Sequence, residues 1–104
     1  MKVIVKLSDG ERSWYLEWSS VVDAPVTYGM SLDELRRHVK EQYGNEGLRE
    51  LPKRLARCDA RGTSAFDTTL ERILENNRAG PNERQATREE IIRWYCLRES
   101  KPKK

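Results

Sequence analysis

Two runs of alternating polarity meet at Asp9-Gly10, and this constrains the fold more than any other stretch of the chain. A type I′ turn needs positive φ at both central residues, which Asp tolerates and Gly adopts freely. Placing that turn on Asp9-Gly10 predicts a β-hairpin over residues 1–20 in which Ser8 faces Glu11, Val5 faces Trp14, Val3 faces Leu16 and Met1 faces Trp18. Val3, Val5, Trp14, Leu16 and Trp18 then share one face, the expected floor of the core. The other face collects Lys6 with Ser13, Ile4 with Tyr15, and Lys2 with Glu17, and reads as the solvent side, with Lys2 and Glu17 as an opposite-charge pair. A two-stranded ribbon is marginal alone, so downstream helices must cover the floor.

Pro25 bars the stretch Val21 to Met30 from a central strand position. It reads either as an irregular crossing or as a short third strand at a sheet edge, around Val26 to Tyr28. Ser31-Leu32-Asp33-Glu34 is a capping box opening a helix whose stripe is Leu32, Leu35, Val39 and Tyr43 and whose stop is Gly44. Leu48, Leu51, Leu55 and Cys58 place a second helix from about Leu48 to Ala60, regular from Glu50 or Leu51 because Pro52 belongs in a first turn. A third opens with Ser64 as N-cap and buries Phe66, Leu70, Ile73 and Leu74; Asn76 to Asn82 breaks it. Thr87-Arg88-Glu89-Glu90 is a second capping box, and the helix after it, ending near Glu99, is apolar on so many sides that it must be wedged between the sheet and another helix. The expected fold is α+β: an N-terminal antiparallel hairpin, with two or three strands, packed by about four helices. Residues 1–100 form one domain and 101–104 a basic tail.

Charge narrows the partners. The chain of 104 residues is 36% charged with a net charge of +3, but the excess is local. Residues 1–35 hold three basic and six acidic groups, 36–61 eight and four, 62–99 six and seven, and the tail adds Lys101, Lys103 and Lys104. No apolar run approaches the roughly 20 residues that span a bilayer, and the alternating N-terminus is not a signal peptide. The expected compartment is the cytoplasm, with no membrane partner. Cys58 and Cys96 are too few for a disulfide framework and fall on apolar stripes, as buried free thiols do.

Three segments carry a family likeness: Trp14 to Ser19, Asp23 to Ser31, and Asn76-Asn77-Arg78-Ala79-Gly80-Pro81-Asn82. Together they resemble a family of small proteins encoded by bacteriophages that infect actinobacteria, over nearly the whole chain. The resemblance implies expression in a bacterial host's cytoplasm and a non-structural, accessory role. The family has no assigned activity, so the likeness transfers no functional residues.

Catalysis needs a nucleophile, a base and an orienting group brought together. The single histidine, His38, reads as a helix-face residue, and there is no Cys-x-x-Cys, His-x-x-x-His, phosphate-binding loop or Ser-centred elbow. A structural zinc would have to combine Cys58, Cys96 and His38 with a carboxylate, which their spacing does not suggest. No cofactor, metal or catalytic residue is expected. Two binding surfaces are. Arg36, Arg37, Lys40, Arg49, Lys53, Arg54, Arg57 and Arg61 would merge into one positive surface if the first two helices are antiparallel neighbours, open to phosphates or an acidic protein. No aromatic residue is placed among these arginines for base stacking. Ile4 and Tyr15 would form a small apolar patch on the outer hairpin face, beside an edge open to a partner or a second copy. The expected function is a protein-interaction module that modulates a host or phage partner without catalysis; the alternative is a nucleic-acid-binding accessory protein using the basic surface.

Overall fold

The computed structural model describes residues 2–102. Strands β1 (Lys2–Ser8) and β2 (Ser13–Ser19) form the antiparallel hairpin, and β3 (Ala24–Pro25) adds to the outside of β2 in the order β1-β2-β3. Pro25 takes an edge position, as its missing N–H requires. The long helix α1 (Leu32–Arg61) follows, then α2 (Leu70–Glu75), a 3-10 turn (Pro81–Glu83), and α3 (Arg88–Ile91), which continues as a π-helical turn over Ile92–Cys96.

The hairpin closes one residue later than a type I′ turn on Asp9-Gly10 would close it. The Asp9 N–H donates to the Arg12 carbonyl at 3.2 Å, so Gly10 and Glu11 are the central pair. Gly10 has φ +96° and Glu11 stays on the negative side, the sign pattern of a type II′ turn. The Asp9 carboxylate closes the loop by accepting the N–H groups of Glu11 at 2.9 Å and Arg12 at 2.8 Å, bonds that hold its pKa below the ordinary carboxylate value. Val3 therefore faces Trp18, Val5 faces Leu16 and Leu7 faces Trp14. Each pairing is displaced by two positions, which leaves every side chain on the face the alternation assigns it.

Both faces are covered. Val5, Leu7, Trp14, Leu16 and Trp18 pack against Ile91, Ile92, Trp94 and Cys96, with Leu70, Ile73 and Leu74 of α2 alongside. The face expected in solvent is a second core: Ile4, 1% exposed, lies with Met30, Leu35, Val39, Leu51 and Cys58, and Tyr15 packs half-buried beside them. The exposed Ile4 and Tyr15 patch does not form, because α1 doubles over it. That doubling occurs at Gly44, whose φ of 69° and ψ of −160° lie outside the helical region. The chain returns so closely that a Cβ on Gly47 would stand 3.0 Å from Val39 Cγ1. The first two expected helices are thus the two limbs of one kinked helix. The second limb resumes straight after Gly44 and carries Pro52 inside it.

The predicted third helix also differs. Ser64 is not an N-cap: its Oγ accepts the Ile4 N–H at 2.8 Å, and its own N–H reaches the Ile4 carbonyl at 2.9 Å. With the Lys6 N–H donating to Gly62 at 2.9 Å, residues 62–64 line the outer edge of β1. Thr69 caps α2 instead, through the Arg72 N–H. The other edge is paired as well, β3 against Trp18 and Ser19, and Met30 against Tyr15. The capping boxes at Ser31 and Thr87 form as expected. The last helix is apolar around most of its girth because it widens: the Leu97 N–H bonds back five residues to Ile92 at 2.8 Å. Lys101 docks on Tyr95 and the Ala79 carbonyl; Met1, Lys103 and Lys104 lie outside the described residues. No helix among the described residues is long and apolar enough to cross a membrane.

Candidate functional site

Two polar constellations arise where α1 meets the sheet. The first centres on a buried carboxylate. Glu17, opposite Ile4 in the hairpin, is 4% exposed under the kink of α1. Its Oε2 accepts the Tyr43 hydroxyl at 2.6 Å and its Oε1 lies 3.3 Å from His38 Nε2. The expected Lys2–Glu17 pair is absent, since Lys2 stands opposite Ser19. A carboxylate out of water needs such partners, and the limb from Leu32 to the kink supplies both from one helix. Burial and the adjoining Glu17 carboxylate push the Tyr43 phenol up from 10 to about 12.

The sign of that shift sets a prediction. A group whose folded pKa is raised stabilises fully below its unfolded value and ceases to as pH climbs through the folded one. The Tyr43 contribution is therefore complete below pH 10 and lost towards pH 12. Tyr43→Phe is expected to lower stability at pH 7 by about 1–2 kcal/mol, by leaving Glu17 Oε2 without its donor. The difference from the parent should shrink in urea melts between pH 10 and 12; a difference constant across that range would show that the hydroxyl is not what Tyr43 contributes.

The second constellation is open. Arg61 wraps the chain leaving α1, donating to the carbonyls of Ala65 at 3.1 Å and Phe66 at 2.7 and 2.8 Å. Arg57 donates Nε to the Ser64 carbonyl at 2.7 Å. So held, the loop pushes Phe66 outward, 74% exposed, with the Arg57 guanidinium 4.0 Å from its ring centroid. Between this loop, α2 and the open end of the hairpin lies a groove of about 940 Å³. Val3, Trp18, Ala65 and Ile73 provide apolar lining, and Lys2, Arg54, Arg57 and Arg72 stand around it with Asp23 and Asp67. Tyr43 lines it too, which ties the open site to the buried cluster.

The eight basic residues singled out in the sequence are thereby divided. Arg54 and Arg57 enter the groove, and Arg61 is committed to shaping it. Arg36 pairs with Asp33 at 3.6 Å; Arg37, Lys40, Arg49 and Lys53 lie exposed on α1. Two further cations, Lys2 and Arg72, are brought in from β1 and α2. Phe66 supplies the aromatic among arginines that sequence order does not show. Its helical spacing with Leu70 suggested burial, and only the use of Ser64 by β1 turns it out.

Cys58 and Cys96 sit in different cores, on opposite faces of the sheet. They cannot share a zinc with His38. Burial raises both thiols, Cys58 to about 11 and Cys96 to about 12, away from reactive thiolates. Among the described residues no group of three or more His, Cys, Asp or Glu side chains is arranged to hold a metal ion. No family model, curated protein or solved structure matches the chain.

Proposed function

We propose that the protein is a non-catalytic interaction module that modulates a partner protein by docking it in the groove beside Phe66. The observation that carries this reading is the groove itself: apolar lining, an exposed aromatic ring and a net cationic surround in one concave place. The Glu17, His38 and Tyr43 cluster is absorbed as the anchor that sets the α1 kink. The phage likeness belongs to the same proposal, and makes the partner a host or phage protein met in the cytoplasm of an actinobacterium.

A nucleic-acid reading has one observation in its favour, the Arg57 guanidinium on Phe66, since an arginine-flanked ring can stack a base. The two separate in one experiment. The tagged chain and its Arg57→Glu and Arg72→Glu variants are expressed in an actinobacterial host and purified with and without nuclease. A protein retained through nuclease by the parent and lost by both variants is the expected result. Recovery of partners that vanish with nuclease would overturn it in favour of nucleic acid, and capture indifferent to both variants would remove the groove from the function.

A further inference from the structure

We infer that the occupant of the groove is an extended segment of the partner in which carboxylates flank an aromatic or branched apolar side chain. This rests on the docking reading above and adds the chemistry of what docks. The charge comes first. Four cations and two carboxylates line the groove, and among the described residues Lys2, Arg54, Arg57 and Arg72 enter no ion pair, whereas Lys6, Arg12, Arg36 and Arg93 do. Arg57 is oriented by a neutral carbonyl and a ring, so it is positioned without being neutralised. A guanidinium held in this way meets a carboxylate in bidentate fashion.

The lining between the cations asks for more than charge. Val3 and Ile73 offer apolar surface beside the buried Trp18 and Ala65, and the Phe66 ring, covered on one face by Arg57, adds an aromatic one. An apolar side chain set on it is shielded from water while neighbouring carboxylates reach the arginines. A volume of about 940 Å³ stands at the upper end of the roughly 300–1,000 Å³ of small-ligand pockets. It suits several residues of extended chain at roughly 3.3 Å each. Single-stranded nucleic acid is less well served, because successive bases need successive open ring faces. Trp18, the largest aromatic here, is 2% exposed, so the open rings in the groove lining are those of Phe66 and Tyr43 alone.

The test uses the full chain and fluorescence anisotropy at low salt. The probes are a labelled twelve-residue peptide alternating Glu with Phe and Leu, the same peptide with Gln for Glu, the same with Ala for Phe and Leu, and a thymidine dodecanucleotide. The first peptide is expected to bind at least about tenfold more tightly than any other probe, since one lost charged contact already costs that much. Phe66→Ala and Arg72→Glu, both on exposed side chains and checked for unchanged melting, should each weaken it about tenfold. Equal binding of the Gln peptide, or indifference to both variants, overturns the inference. Tighter binding of the oligonucleotide with the same dependence on Phe66 overturns it in favour of nucleic acid. If the host partner is captured through Arg57 and Arg72 while the acidic peptide fails, the segment chemistry falls and the docking reading stands; if neither depends on these residues, both fall.

Discussion

Ile4→Asp is expected to unfold the protein, at a cost of at least about 4 kcal/mol. Ile4 sits at the centre of the core beneath α1, touched by Leu35, Val39, Leu51 and Cys58, and replacing it removes the largest apolar side chain that β1 contributes there. Truncating such a residue costs about 2–5 kcal/mol by itself, and the new carboxylate would lie where only Glu17 is provided with donors. The same strand position also anchors residues 63 and 64, whose hydroxyls and amide meet the Ile4 backbone at 2.8–2.9 Å. Since domains have about 5–15 kcal/mol in total, circular dichroism in urea should show a collapsed midpoint or no folded baseline. On a solvent-facing strand the change would stay within about 0.5 kcal/mol, so a near-normal midpoint would refute the two-sided burial of the sheet.

Asn77→Leu comes next, at about 3–5 kcal/mol despite the same number and branching of side-chain heavy atoms. Asn77 is buried, and its amide is used at every corner: Nδ2 donates to the carbonyls of Leu74 at 2.5 Å and Ala86 at 2.8 Å, while Oδ1 accepts the N–H groups of Ala79 at 3.1 Å and Ala86 at 2.8 Å. The side chain stitches the end of α2 to the stretch before α3, from inside, where Gln85 does so from outside through the Leu74 and Glu75 carbonyls. A leucine would leave the Ala79 N–H and both Ala86 backbone groups without this partner, at about 1–3 kcal/mol for each that finds no water. Asn77→Asp keeps the acceptor and loses the donor, so it should fall between parent and leucine variant in thermal melts. Equal melting of all three proteins would show that the loop is held by something else.

How far such features can be read from the chain depends on their reach. The faces of the hairpin follow from alternation, which survives a two-position slip because side chains repeat every two residues. The register did not follow, because the Asp9 carboxylate satisfies two amides and lets Gly10-Glu11 take the turn. Ser31, Gly44 and Thr87 were legible since caps and breaks act within one helical turn. The outer face was misread through Lys2, Lys6 and Glu17, whose charges suggest water. Lys6 in fact escapes to Asp59 at 2.8 Å while Glu17 is buried with two donors from 21 and 26 residues away. The groove was legible only through Arg54 and Arg57. Lys2, Phe66 and Arg72 join them because Ser64 is drawn to β1, a contact sixty residues long that no local pattern announces.

That contact also orders the birth of the fold in time. β1 and β2 leave the ribosome before the segments that cover them, and the edge of β1 is closed by Gly62, Thr63 and Ser64. At roughly 5–20 residues per second, the nascent hairpin waits on the order of several seconds with a strand edge and two apolar faces unserved. The kinked α1 emerges in that interval and can shelter one face before the edge is sealed. The second face waits longer, for Ile91, Ile92 and Trp94, which emerge later still. This sheet is thus covered well after its strands are made.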